Sequence, residues 1–290
     1  MTRRPDTETA PVAIVTGASS GIGEASARCL AQAGFRVALA ARRAERLEQL
    51  AKDIEQAGGT ALPVAVDLAD EGATHALTRK ALESFGRIDL LLNNAGYSPA
   101  AANEQIPRSE LRRTFEVNLF SALQLAGEVA PVMRAQGGGR ILNMGSLGGS
   151  VAAPLAIAYA STKAGMDAAT RGLRLELAPF GIHVALIVPG FVDTETFDNS
   201  RAASVHLRED AANPYRKMMI DLDEFATTQT KNALPPEVIG RVVVRAATER
   251  RPRMRYYAPF SGRLQDGFLG LLPESWVHRL LLRIYKIEAR

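Results

Sequence analysis

Between residues 12 and 188 short apolar runs alternate with helical stretches without a break, and that alternation leaves few folds open. The runs at 12–16, 35–40, 62–66, 88–92, 140–144 and 182–188 are apolar and often β-branched, without the polar alternation of a half-exposed strand. Strands of that kind are covered on both faces, as in a parallel sheet. Helical stretches are expected to about residue 33 and over 43–56, 73–85, 110–136 and 155–178. A seventh strand is expected around 253–258. Strict β-α alternation predicts a doubly wound, Rossmann-like α/β fold, and no linker interrupts it.

The first strand hands over to the first helix through TGASSGIG, residues 16–23. There Gly17 allows a sharp turn, Gly21 lets the backbone approach a pyrophosphate, and Gly23 lets helix and strand pack closely. The helix start then offers free N–H groups to phosphate. A tight structural turn is the plainer alternative. The second strand ends in Ala40-Ala41-Arg42-Arg43, with no acidic residue to bond a ribose 2′-hydroxyl. Arg42 and Arg43 instead suit a 2′-phosphate, which points to NADP over NAD; a solvated charge pair at a helix start is the alternative. Asp67, ending the third strand, could take an adenine amino group or cap the next helix, a task for which Asp70 competes. Asn94, Ala95 and Gly96 follow the fourth strand, either lining an adenosine site or forming a plain turn.

Tyr159 and Lys163 are four residues apart in a helical stretch, so they share a face. An ammonium near a phenol favours the phenolate and draws the pKa down towards use as a base. Ser146 lies just past the fifth strand, at the strand ends where open α/β sheets bind ligands, and its hydroxyl could donate to a substrate carbonyl oxygen. Asn118 is polar amid apolar helix positions and needs partners; it could kink the helix or hold a water.

Taken in order, TGASSGIG, NNAG, the asparagine of FEVNLF, Ser146 thirteen residues before Tyr159, YASTK and VPGFVDT resemble the short-chain dehydrogenase/reductase family over about residues 11–196. ARRAERL is similar to its NADP-using members. The resemblance implies a sheet of about seven parallel strands and hydride exchange between a nicotinamide and a carbonyl or alcohol, without a metal. It implies that Tyr159 is the general acid/base, that Lys163 lowers the tyrosine pKa and bonds the nicotinamide ribose, that Ser146 orients the substrate oxygen, and that Asn118 holds a relay water. Pro189 and Gly190 would turn the chain beside the nicotinamide and Thr194 would meet its carboxamide. Ser19, Ser20, Ile22, Leu68 and Val192 complete the implied cofactor contacts. Met144-Gly145 before Ser146 departs from the family's frequent Ile-Ser. A homodimer or homotetramer is implied.

The expected layout is one domain over all 290 residues, with a flexible lead-in at 1–10, a substrate lid at 197–232 and an amphipathic tail at 260–290. The lid region could equally be a solvated insertion. In the tail, Leu264, Phe268, Leu271 and Leu272 follow helical spacing, as do Trp276, Val277, Leu280, Leu281 and Ile284, with Arg279, Arg283 and Lys286 off that stripe. Such a tail could lie on an anionic membrane, cover a lipophilic pocket, form an interface or pack on its own protein. It is loosely similar to the tail of family members that act on bulky lipophilic alcohols.

The net charge of +4 gives no sign of a nucleic-acid partner, and the single cysteine, Cys29, permits no intrachain disulfide and suits a reducing cytoplasm. The polar N-terminus is not expected to be a secretory signal. The reading is therefore an NADP(H)-dependent oxidoreductase acting on a small carbonyl or alcohol, of a bulky lipophilic kind. A non-catalytic NADP-binding sensor or scaffold, and a peripheral membrane protein acting through its tail, are the alternatives.

Overall fold

The computed structural model describes residues 9–231 and 233–288, so most of the expected lead-in lies outside the described residues. Along the chain run β1 (Val12–Thr16), α1 (Gly21–Gln32), β2 (Arg36–Ala41), α2 (Ala44–Gln56), β3 (Thr60–Ala65), α3 (Ala73–Phe85), β4 (Leu90–Asn93), α4 (Arg108–Phe115), α5 (Ser121–Ala135), β5 (Gly139–Met144), α6 (Ile157–Leu177) and β6 (Ile182–Pro189). There follow α7 (Thr196–Ala203), α8 (Val205–Glu209), α9 (Arg216–Thr230), α10 (Pro236–Thr248), β7 (Arg255–Ala258), α11 (Ser261–Leu269) and α12 (Glu274–Ile284).

The strands form one parallel sheet in the order β3-β2-β1-β4-β5-β6-β7. Side chains that alternate along each strand separate two apolar layers. Ala13, Val15, Val37, Leu39, Leu90 and Leu92 pack with Leu30 of α1, Leu47 of α2 and Val243 of α10. Ile14, Ala38, Leu91 and Ile141 pack with Leu77 of α3 and Leu125, Val129 and Met133 of α5. Burial on both faces is why the strand sequences read as continuous apolar runs. The order reverses between β1 and β4, and in such sheets the crevice beyond the strands' carboxyl ends at that reversal is the ligand position.

The long helix expected at 110–136 is two helices joined by one π turn, Glu116–Phe120, with Asn118 inside it. Asn118, for which a kink or a held water was expected, lies in that turn, and such turns recur at functional sites. Neither Asp67 nor Asp70 caps α3, which starts after Gly72 in the left-handed conformation. The region expected as a lid contains α7, α8 and α9, and Met219 of α9 is buried against Ala102 and Leu155. In the tail, the expected stripe on α12 is divided: Val277 and Leu281 are half-buried, while Trp276, Leu280 and Ile284 are exposed. Leu271 and Leu272 fall after the end of α11. No helix among the described residues is long and apolar enough to cross a membrane.

Candidate active site

A cavity of about 540 Å³ opens at the β1–β4 reversal and extends to the end of β5. One end is walled by Gly17, Ser19, Ser20, Gly21, Ile22, Arg42, Arg43, Asp67, Leu68, Asn94, Ala95 and Gly96, the other by Met144, Gly145, Tyr159, Lys163, Pro189 and Thr194. Most residues singled out from the sequence therefore meet around one space, though they lie up to 177 positions apart.

The glycine turn is shaped by what surrounds it. Gly17 and Gly21 take positive φ, +67° and +55°, where a Cβ is strained. An added Cβ would lie 2.9 Å from Ala95 Cα at Gly17 and 2.9 Å from Thr194 Cγ2 at Gly21. At Gly23 it would lie 2.1 Å from the Gly17 carbonyl oxygen, so Gly23 serves packing rather than the cavity wall. The side chain of Ser20, which precedes α1, caps none of that helix's first N–H groups. These features fit a dinucleotide pyrophosphate: a cradle kept open by missing side chains, at a helix start whose donors no side chain takes.

Thr16 braces the reversal. Its hydroxyl donates to the Leu92 carbonyl at 3.3 Å and accepts from the N–H groups of Asn94 and Ala95 at 2.9 and 3.0 Å. The Asn94 amide donates to the Thr16 carbonyl at 2.9 Å, so its side chain holds β1 to the next loop while the residue also lines the cavity. Deeper, the buried Asn93 amide donates to Asn143 Oδ1 at 2.9 Å, and the Asn143 amide to Thr170 Oγ1 at 2.9 Å, tying β4 through β5 to α6. Thr16, Asn143 and Thr170 were not read from the sequence, because single polar residues in apolar runs carry no signal until their partners are known.

Arg42 and Arg43 differ in state. Arg42 is exposed on the cavity wall and makes no hydrogen bond or ion pair among the described residues. Arg43 is held: it donates to Ser19 Oγ at 3.1 Å, Ser20 Oγ at 2.7 Å and Glu195 Oε2 at 3.0 Å. Asp67 accepts from the Ala69 N–H at 3.0 Å and from Arg113 Nη2 at 2.6 Å. Burial raises the Asp67 pKa, but those two bonds outweigh it and hold the carboxyl below its usual range.

At the other end, Lys163 is buried, and its ammonium donates to the Met144 carbonyl at 2.8 Å and lies 5.5 Å from the centre of the Tyr159 ring. Burial lowers the Lys163 pKa to about 8. The Tyr159 pKa is raised, chiefly by desolvation, with a hydrogen bond to Ser146 pulling the other way. The sequence pairing led us to expect a lowered tyrosine; here desolvation of the phenolate is the larger effect. Ser146 Oγ accepts from the Gly148 N–H at 3.0 Å. Asn118 is buried and used on both sides: Oδ1 accepts from the Tyr97 N–H at 2.7 Å, and Nδ2 donates to the Tyr97 carbonyl at 2.8 Å and Thr162 Oγ1 at 3.1 Å. Its side chain thus fastens the loop after β4 to α6.

Besides Gly23, two expected cofactor contacts, Val192 and Gly190, do not line the cavity. The Val192 side chain is in the apolar core, and its backbone bridges to Leu234. Gly190 faces the end of β7, its N–H donating to the Ala258 carbonyl at 2.7 Å. Tyr97, Ser98, Arg113, Glu195 and Ser200 line the cavity and were not singled out.

One cavity thus has the glycine turn at one end and the Tyr159 phenol and Lys163 ammonium at the other. The sequence pattern of the short chain dehydrogenase family matches residues 11–204. An uncharacterized oxidoreductase of Staphylococcus saprophyticus is 35% identical over 240 residues, 82% of this chain and 90% of that one. A metagenomic short-chain oxidoreductase solved in complex with NADP has a TM-score of 0.69 at 29% identity, over 87% of this chain and 98% of that chain. A variant actinorhodin polyketide ketoreductase with NADPH has a TM-score of 0.74 at 28% identity, over 87% and 97%. The chain belongs to the short-chain dehydrogenase family of oxidoreductases.

Proposed function

We propose that this protein is an NADP(H)-dependent reductase or dehydrogenase that interconverts a carbonyl and a secondary alcohol in a bulky, lipophilic small molecule. The observation that carries this reading is that the glycine turn, with Arg42 beside it, and the Tyr159–Lys163–Ser146 group share one cavity wall or border on it. Arg42 makes no hydrogen bond or ion pair among the described residues and lines the cavity beside the glycine turn, which suits a 2′-phosphate. Similar structures solved with NADP or NADPH support the same choice.

When bound, the dinucleotide supplies or accepts the hydride. The chain's own residues handle the oxygen. Tyr159, whose pKa desolvation raises above the ordinary tyrosine value, gives its proton to the carbonyl oxygen in reduction. Ser146, with one lone pair taken by the Gly148 N–H, directs its hydroxyl proton at the same oxygen. Lys163, fixed by the Met144 carbonyl, offers its charge to the phenolate that proton donation leaves and its remaining protons to the cofactor ribose. In alcohol oxidation each step runs backward. NADPH and NADH consumption over a graded set of aldehydes and ketones, followed by nicotinamide absorbance, tests the reading. NADPH use on bulky ketones supports it; demonstrable NADPH binding with no turnover in either direction would favour a sensor.

A second reading concerns the tail, where exposed Phe260, Leu264 and Phe268, and Trp276, Leu280 and Ile284, each recur at helical spacing. Leu271, between them, is 85% exposed. Residues 250–290 hold nine Lys/Arg against three Asp/Glu, so the chain's basic excess is located there. An apolar stripe flanked by Arg279, Arg283 and Lys286 suits an anionic bilayer surface. Flotation with phosphatidylglycerol vesicles but not phosphatidylcholine vesicles, lost on Trp276→Ser with Leu280→Ser, supports it; equal flotation of both proteins would dismiss it.

A further inference from the structure

Glu195 follows Thr194, the residue laid against Gly21, and leads into α7. Its carboxylate is gripped by two arginines from the opposite wall. Oε2 accepts from Arg43 Nη1 at 3.0 Å and Oε1 from Arg46 Nη1 at 2.7 Å. The other edge of Arg43 is bonded to Ser19 and Ser20 of the glycine turn. At the far end of the same segment Ser200 Oγ donates to the Ser98 carbonyl at 2.7 Å, in the loop after β4. Residues 194–200 therefore cross the mouth of the cavity and are tied down on both sides, and Thr194, Glu195, Thr196, Asn199 and Ser200 all line it.

The two ion pairs are half-exposed, with side chains 40–48% accessible. Pairs of that kind add little to global stability and open readily, so their effect falls on how often the segment lifts. The clasp also divides the labour of the arginines. Arg43 and Arg46 are spent on Glu195, while Arg42 lines the cavity with no hydrogen bond or ion pair among the described residues.

We propose that Glu195 is a cofactor-retaining residue: its clasp on Arg43 and Arg46 holds residues 194–200 across the cavity and slows dinucleotide release, independently of the 2′-phosphate. The inference rests on the dinucleotide reading above. The opposite role is also open to a carboxylate at this place, namely repulsion of the 2′-phosphate, and the two roles predict opposite signs.

The test measures release of NADPH and of NADH from the intact protein by displacement, followed by nicotinamide fluorescence, in wild type, Glu195→Gln and Arg46→Gln. Arg46 bonds only Glu195 among the described residues, so its variant loosens the clasp without touching the glycine turn. Melting curves confirm that each variant is folded. Both substitutions are expected to speed release of both cofactors by the same factor, roughly two- to fivefold, the kinetic equivalent of exposed ion pairs. Added salt should speed release in wild type and have less effect in the variants. Slower NADPH release from Glu195→Gln with NADH unchanged would replace retention by repulsion, and unchanged release in both variants would remove the clasp from function. If wild type binds neither dinucleotide, the underlying functional reading falls and takes this one with it. Arg42→Gln, which should weaken NADPH alone, separates that failure from failure of the clasp.

Discussion

The Lys163 ammonium lies 5.5 Å from the centre of the Tyr159 ring and is anchored to the Met144 carbonyl at 2.8 Å. The charge thus stands beside the phenol, held by the end of β5 rather than by the tyrosine oxygen. Tyr159 and Lys163 both stand on α6, but the ammonium is anchored by a β5 carbonyl, so substitutions should affect the two separately.

Tyr159→Phe removes the proposed proton donor and little volume. Turnover should fall by on the order of a hundred- to ten-thousandfold, the usual contribution of a positioned acid or base. The dissociation constant for NADPH, measured by fluorescence titration, should stay within about twofold, because the change deletes one hydroxyl at the substrate end. Retained turnover would sink the assignment of Tyr159.

The pH profile should follow Lys163. Below about pH 8 it is charged and stabilises the phenolate left by proton donation. Above that it becomes neutral, while Tyr159, with its raised pKa, keeps its proton. Reduction kcat/KM should be level from pH 6 to about pH 8 and decline above it, whereas alcohol oxidation should peak at higher pH because it needs the phenolate. An acidic limb in reduction would point to another essential group.

Lys163→Met should separate stability from function. A folded-state pKa of about 8 against 10.5 for an ordinary lysine is a destabilisation of roughly 3 kcal/mol at neutral pH. Below pH 8 both folded and unfolded states carry the proton, and the full penalty applies. Between about 8 and 10.5 the folded state gives up its proton first and the penalty shrinks. The methionine variant should therefore melt at or above the wild-type temperature at pH 7, with the difference narrowing towards pH 10, while turnover is lost. A lower Tm at pH 7 would show that the ammonium stabilises the fold.

Gly23→Ala places a methyl 2.1 Å from the Gly17 carbonyl oxygen and 2.6 Å from the Asn94 amide nitrogen. Both neighbours are pinned, so the strain should cost about 1–3 kcal/mol and shift the turn. Thermal melting and NADPH titration check this; an unchanged Tm would refute the close packing described for that glycine.

Arg42→Glu replaces a cation on the cavity wall by an anion. NADPH affinity should drop by about tenfold or more, as expected for loss of a charge-assisted bond plus repulsion, while NADH affinity holds or rises. Parallel titrations decide it, and an equal effect on both cofactors would move the 2′-phosphate away from Arg42.

The doubly wound sheet was legible because covered strands leave uninterrupted apolar runs and crossover helices leave their own period. The Ser146, Tyr159 and Lys163 group was legible through the family resemblance, since their motifs follow in the family's order along the chain. Asn118 was legible as an anomaly, a polar residue in an apolar stretch, but not as the clamp between the loop after β4 and α6. Glu195, Arg113 and Thr16 left no trace, since nothing in TETFD, LRRTF or IVTG distinguishes them from ordinary surface or strand residues. Which residues of the α12 stripe meet the protein was not legible, because helical spacing gives a face and cannot say what covers it.

By itself the sequence determined the order of elements, the glycine turn and the identity of the chemical groups, because these depend on local periodicity and on backbone freedom at single residues. Tertiary structure alone decided the direction of the Tyr159 pKa, the pairing of Arg43 but not Arg42 among the described residues, and the ties of residues 194–200 to Arg43, Arg46 and Ser98. Desolvation and ion pairing depend on what lies within a few ångströms, and the fold brings Glu195 to Arg43 from 152 positions away.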